Sequence, residues 1–348
     1  LWTQYTLDRG VLKMQAQMPP LGSEEERTAR LQLREDGSWT TVSERPIDPL
    51  ARTASFRVEG WKASSDRDYR IAYRLTGDGG EKETHYYEGT VRRDPVEKPE
   101  LVVAGLSCQT DPGFPHGRIA DGLAHHDPDL LAFMGDQFYE SSGGYGVVRD
   151  PTAPIELSAL DYLRKWYLHG WAFGDLMRDR PTICMPDDHD VYHGNVWGEG
   201  GKDATADYEL HNDGGYHMPA RWVNLVQRTQ TGHLPDPYDP RPVRQGISVY
   251  YTDMNYGRVS FAIVEDRKWK SGPDGLVPPI PGRPDHVTDP EFDVSRLDVE
   301  SAELLGQRQL NFLEDWGSDW QHADAKVVVS QTPFAQVPTH HGGNYMYL

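Results

Sequence analysis

The stretch Leu130–Glu140, LLAFMGDQFYE, constrains this chain more than any other. Five apolar residues, Leu130 to Met134, stop at Gly135, and Asp136 follows at once. Such a run, without polar alternation, fits a strand covered on both faces, as in a parallel sheet. In open α/β sheets ligands gather beyond the carboxyl ends of the strands. A carboxylate just past a buried strand, behind a glycine that lets the backbone turn, is placed to hold a metal. Tyr139 and Glu140 follow closely enough to swing back to the same point. Alone, the stretch equally fits a buried strand closing in an ordinary Gly-Asp turn.

Two other stretches repeat the pattern. Leu101–Leu106 is a continuous apolar strand running into Ser107-Cys108-Gln109, and Pro181–Met185 runs into Pro186-Asp187-Asp188-His189-Asp190. Helical patterns over Gly117–His125 and Leu157–Phe173 lie between them. Parallel strands joined by helices bring their carboxyl ends to one edge. A thiol, a phenol and several carboxylates then converge. Sulfur and phenolate suit a transition metal, while carboxylate and amide oxygens suit a hard ion such as calcium. A mixed pair of metals is the expectation.

The rest of the chain is read around this edge. Its 348 residues suit about two domains. Residues 1–93 read as a small all-β sandwich, with short strands at Val11–Gln17, Ala29–Leu33, Thr53–Val58, Tyr69–Leu75 and Thr84–Val91. The proline pair in residues 94–99, DPVEKP, marks a linker, and residues 100–348 form the α/β part. Ser248–Asp253 and Arg258–Glu265 read as a hairpin, Gly214–Arg228 and Ser301–Trp316 as helices, and Ala325–Ser330 as a last buried strand. Leu304, Leu305, Leu310 and Leu313 form the expected apolar stripe of the later helix, and the tryptophans, Trp171 among them, are expected in core and rim packing. His340-His341 reads as a loop.

Composition excludes several functions. The net charge of −19 argues against nucleic-acid binding as such, which needs a basic face. It leaves anionic substrates open, because bound cations invert the local field. No apolar run approaches the roughly 20 residues of a membrane span. Two cysteines, Cys108 and Cys184, exclude a disulfide-dense scaffold and a four-sulfur zinc site. A single disulfide stays open, and Cys184, inside a strand, reads as structural.

SCQ at 107–109, GDQFYE at 135–140 and DDHDVYHGN at 187–195 resemble the signature stretches of the PhoD-like alkaline phosphatases, within the wider metallophosphatase group. The β-rich start, LGQRQLNFLEDW and KVVVSQTPFAQ fit the same family. The resemblance implies an αββα metallophosphatase-like sandwich after the β-domain. It implies a phosphoesterase of alkaline phosphatase or phosphodiesterase type, hydrolysing phosphate esters with a metal-activated water. It also implies Fe(3+) and Ca(2+), other divalent metals being alternatives. Asp136 resembles the carboxylate that bridges two ions, Cys108 and Tyr139 the sulfur and phenolate ligands of a ferric ion. Asp188 and Asn195 are candidates at the second metal, and His189 resembles the histidine beside the substrate phosphate. Arg267, after a buried strand, is a candidate phosphate contact through its planar fork.

The family also supplies metal ligands from a late Gly-Asp-x-His stretch, which is not found before Leu348. The expectation is a catalytic domain incomplete at its C-terminus, with the remaining C-terminal part of the protein as a partner. The opening LWTQYTL, without Met, points to a removed leader or a trimmed start. With the family habit of export, this suggests a secreted, periplasmic or cell-surface protein. The alternative class is a non-catalytic cell-surface or binding module that keeps a partial metal site.

Overall fold

The computed structural model describes residues 1–77, 79–141, 146–204, 212–279 and 291–332, together with 282–283, 286–287, 289, 340–341 and 344–345. The chain is a mixed α/β protein. It opens with β1 (Trp2–Asp8), β2 (Val11–Gln17), β3 (Thr28–Glu35), β4 (Ser38–Pro46), β5 (Thr53–Glu59), β6 (Arg67–Thr76) and β7 (Lys82–Val91). These strands form two antiparallel sheets, ordered β1-β2-β5 and β4-β3-β6-β7.

The second part begins with β8 (Val103–Leu106), α1 (Gly117–His126), β9 (Leu130–Phe133), α2 (Ile155–Arg178), β10 (Thr182–Cys184) and α3 (Ala220–Thr231). The strands β8, β9 and β10 are parallel, with β9 central. The next elements are β11 (Thr252–Tyr256), β12 (Val259–Ile263), the single turn α4 (Asp266–Trp269) and the two-residue strands β13 (Gly282–Arg283) and β14 (His286–Val287). Then come α5 (Gly306–Ser318), β15 (Ala325–Val329) and the short pair His340–His341 and Asn344–Tyr345. β12 pairs antiparallel with β11 and parallel with β15.

Alternating burial shows how the layers stack. Leu131 and Phe133 of β9 pack with Tyr162, Leu163, Trp166 and Phe173 of α2 and with Trp222 and Val226 of α3. Leu130 and Ala132, on the other face, share a core with Phe261, Ile263 and Val329 of the second sheet. Ala262 and Val264 turn outward onto Phe312 of α5. The order is therefore helix, sheet, sheet, helix, and the unbroken apolar run of β9 follows from cover on both faces.

The first strand, β1, was not legible in the sequence. Its residues WTQYTLD look polar, yet Trp2 to Leu7 are all buried. The polar ones are satisfied across the junction: Thr6 Oγ1 donates to the His233 carbonyl, and Gln4 Nε2 reaches Met177 Sδ at 3.7 Å. The neighbouring strand does the same, with Gln15 Nε2 donating to the Thr229 carbonyl and Gln17 Oε1 accepting from Trp166 Nε1. Tyr5 and Leu7 join the core on one face, while Gln4 and Thr6 on the other are buried through hydrogen bonds, so polar residues stand where an apolar signal is looked for. Its core is continuous with that of the sheets beyond: Tyr5, Leu12 and Met14 belong to the same cluster as Leu130 and Phe261.

Other expectations differ from the structure: β15 is buried only at Val329, with Val327 and Val328 exposed, and His340–His341 pairs as a short strand rather than running as a loop. β8 is an edge strand, so Val102 and Val103 are exposed rather than covered. On α2 the inward stripe runs through Ala159, Tyr162, Leu163, Trp166, Gly170 and Phe173, which leaves Leu160 outside and Trp171 80% exposed. On α5 the buried residues are Gly306, Gln309 and Phe312, whereas Leu304 and Leu310 are exposed. In both helices several apolar side chains compete for the inward face, and periodicity alone did not choose the phase. Cys108 is exposed and Cys184 buried, and both are free thiols.

One buried ion network links α2 to the loops at the sheet edge. Asp161 Oδ2 accepts from Lys165 Nζ at 2.8 Å, from Tyr192 Oη at 2.8 Å and from the Val148 backbone N–H at 3.0 Å. The Lys165 side chain is fully buried. Burial raises the Asp161 pKa, but Lys165 and the other donors outweigh it and hold the carboxyl below its usual range. Asp161→Asn is expected to destabilise the fold by about 3–5 kcal/mol in chemical denaturation at neutral pH, because the buried lysine charge loses this carboxylate. The wild-type advantage is present above the ordinary carboxylate pKa and is lost as pH falls through the depressed folded value.

Candidate active site

Hydrogen bonds continue past the ends of the parallel strands and set the loops side by side. Met134 N–H donates to the Leu106 carbonyl at 2.8 Å, Cys108 N–H to Gly135 at 3.2 Å, and Gln109 N–H to Asp136 at 2.8 Å. On the other side Met185 N–H donates to the Phe133 carbonyl at 3.0 Å. Gly135, at φ +104°, leaves no room for a side chain: a Cβ there would lie 2.3 Å from the Asp187 Cβ. Asp136 itself stands in the left-handed region, at φ +53°.

The convergence expected from the three strand ends is present. Ligand atoms of Asp136, Asp188 and His189 lie within 4.8 Å of one another. Cys108 Sγ is 3.7 Å from Asp136 Oδ2, and the Tyr139 phenol lies beside both Cys108 and Asp136. The Tyr139 ring also packs on His189, with centroids 4.2 Å apart. Asn195 joins through its backbone, whose N–H donates to Asp188 Oδ2. Arg267 Nε donates to Asp187 Oδ1 at 2.6 Å, so its fork is engaged with Asp187 at the margin of the cluster. Gly198 lets the loop after Asn195 close onto this arginine: its N–H donates to the Arg267 carbonyl at 2.8 Å, and a Cβ would meet the Lys268 carbonyl oxygen at 2.5 Å. The side chains of His340 and His341 lie outside the described residues.

The electrostatics show what this arrangement lacks. Burial, then the neighbouring charges of Asp188, Asp187 and Asp190 and the Cys108 thiol, push the Asp136 carboxyl up to about 11. Burial pushes Asp187 up to about 6 against the pull of Arg267, and Asp190 up to about 7. Asp188 is held low despite burial, by Arg267, His189 and the Asn195 N–H. Asp136 Oδ1 is buried and has no hydrogen-bond partner among the described residues. Carboxylates packed together with too little compensating charge are strongly disfavoured, and a bound cation inverts this balance. The donor set of thiol, phenol and carboxylate therefore fits a metal ion.

Glu140, expected only to swing back toward the cluster, has a defined place, and several further contributors were not singled out from the sequence. Glu140 is buried; its Oε2 lies 2.6 Å from His189 Nδ1, and its Oε1 pairs with Arg149. Burial lowers the His189 pKa, but Glu140 and Asp188 overcome this and leave it raised. Lys270 is pushed down to about 8 by burial and then by Arg267, with Asp187 and Asp188 acting in the opposite direction. Asp190 is fully buried, and its carboxylate accepts from the backbone of both carboxylate-bearing loops. Glu140 and Asp190 carried a signal, their places in GDQFYE and DDHD; Arg149 and Lys270 lie in segments without a motif.

A model of the PhoD-like phosphatase family matches residues 101–346. The chain belongs to this family. A search of curated proteins finds no match to it. As a PhoD-like phosphatase it is a hydrolase acting on phosphate esters, and the Asp136–Asp188–His189 cluster lies within the matched region. Among the described residues no helix is long and apolar enough to cross a membrane.

The Glu140 contact has a measurable consequence. In Glu140→Gln, the His189 pKa is expected to fall relative to wild type, read by NMR titration of the imidazole in metal-free protein. In wild type the pair's contribution to stability is fully present below the ordinary imidazole pKa and is lost as pH rises through the raised folded value. Glu140 is held below its ordinary value despite burial, chiefly by His189, so its share is lost on acidification.

Proposed function

We propose that this phosphatase is metal-dependent and that the edge built from residues 108, 136, 139, 188, 189 and 195 is its active site. The observation that carries the reading is the buried, unpartnered Oδ1 of Asp136 beside Asp188, Cys108 and Tyr139. Asp136, Asp188, Cys108 and Tyr139 would hold the ions, with Asn195 at the Asp188 side. The thiol and phenol favour iron, and the carboxylates favour calcium or a similar hard ion. Bound metal supplies a nucleophile at neutral to alkaline pH and neutralises charge on the departing oxygen.

The chain's own residues do the placing. Glu140 takes the Nδ1 side of His189, which turns Nε2 toward the cluster, where it can donate a proton or hydrogen bond to a phosphoryl or leaving oxygen. His189 and then Arg149 hold the Glu140 carboxyl below its ordinary value despite burial. Arg267 and Lys270 put positive charge near the Asp187–Asp188 side, suited to the oxygens of an incoming phosphate ester. Phosphoryl transfer asks mainly for such placement and charge neutralisation.

In this reading residues 1–93 are a β-sandwich domain joined through residues 94–99 to the catalytic unit, and the protein works outside the cytoplasm. Asp136→Ala is expected to lose bound metal, measured by elemental analysis. Its kcat on 4-nitrophenyl phosphate should drop at least about 100–1,000-fold, the scale of losing one electrostatic stabiliser. Turnover that survives both exhaustive chelation and this substitution would overturn the proposal.

A further inference from the structure

Asp190 follows the DDH stretch and has been given no part in the chemistry. Its carboxylate is fully buried, and every hydrogen bond it makes serves the loops that carry the cluster. Oδ2 accepts from the Asp136 N–H at 2.8 Å and from the Asp187 N–H at 2.8 Å. Oδ1 accepts from the Gln137 N–H at 3.1 Å and from Gln230 Nε2 at 3.1 Å. Three backbone donors from two strand ends thus close around one anion, the geometry of a backbone nest. The fourth donor ties the nest to α3. Gln230 Nε2 also reaches Tyr162 Oη of α2 at 3.3 Å, so both helices behind the sheet brace it.

We propose that Asp190 is a positioning residue that sets the spacing between Asp136 and the Asp187–Asp188 loop, and so the grip of the site on its metal. This inference rests on the metal-dependent reading above. The left-handed conformation of Asp136 is intrinsically unfavourable for a non-glycine residue. The bond from its N–H to Asp190 is what holds it there, with the Asp136 side chain directed to the cluster. Asp188 is one residue from Asp187, so the same carboxylate fixes both metal-facing side chains against each other. A carboxylate is acceptor-only and can meet all four donors; an asparagine cannot, because its amide N–H₂ would face donors.

The test is Asp190→Asn, compared with wild type and with Trp2→Ala, which destabilises the β1–α2 junction far from the cluster. Cobalt(II) affinity is measured by calorimetry on metal-free protein at a temperature where each variant is folded, and kcat and KM on 4-nitrophenyl phosphate follow at saturating metal. Asp190→Asn is expected to weaken cobalt binding by about 10–100-fold, the scale for losing a partner that orients metal ligands, and to lower kcat more than it changes KM. Trp2→Ala is expected to lower thermal stability and leave cobalt affinity unchanged. If Asp190→Asn does not fold, Gln230→Met replaces it, with weaker cobalt binding again expected. Cobalt affinity within about twofold of wild type in the folded variant overturns the role of Asp190, taking about tenfold as the least loss of such a partner produces. Wild-type protein that binds no cobalt overturns the metal-dependent reading itself, and this inference with it.

Discussion

Four aspartates at positions 136, 187, 188 and 190 share one water-poor edge of the parallel sheet, and their mutual repulsion is the constraint the surrounding structure answers. Each is answered differently. Asp187 has the Arg267 guanidinium, and Asp190 has a ring of N–H donors. Asp188 has the Asn195 N–H together with the charges of Arg267 and His189. Asp136 alone keeps a buried oxygen with no partner. The deficit is thus concentrated at the point where a thiol and a phenol also arrive, and in the proposed reading a bound cation would complete it. A fold selected for stability alone would favour apolar groups of similar size at such a place.

The polar chain behind the cluster divides the labour. Arg149, Glu140 and His189 form one line, so the imidazole is fixed through Nδ1. Asp161, Lys165 and Tyr192 form a second, which anchors the far end of the DDHDVY turn and the segment before Arg149 to α2. Both lines tie a loop at the sheet edge to packed helix or loop; in the proposed reading the first settles the orientation of His189 before a substrate arrives, which is where phosphoryl transfer gains most.

The amino-terminal sheets are part of the same mechanical unit. β1 is buried, and polar side chains of β1 and β2 bond to α2, to α3 and to the turn after α3. The core under β9 continues into the core of these strands. Asp136 therefore projects from a strand end supported on one side by α2 and on the other by both β-layers.

Much of this was legible in the sequence. The unbroken apolar runs ending in GDQFYE and DDHD dictated parallel buried strands with chemistry at their ends, because full cover tolerates such runs and loops at strand ends expose such donors; the run ending in SCQ gave a parallel strand too, but at the edge of the sheet. The helices between them followed from the same logic, as did the proximity of Cys108, Asp136, Tyr139 and Asp188. Tertiary structure alone decided the rest. It chose the inward face of α2, leaving Trp171 outside, since several apolar phases were available. It buried the polar strand β1 through partners more than a hundred residues away. It also gave Asp190 and Glu140 their work, because a carboxylate's role depends on which donors the fold brings to it, and those donors come from segments with no pattern of their own.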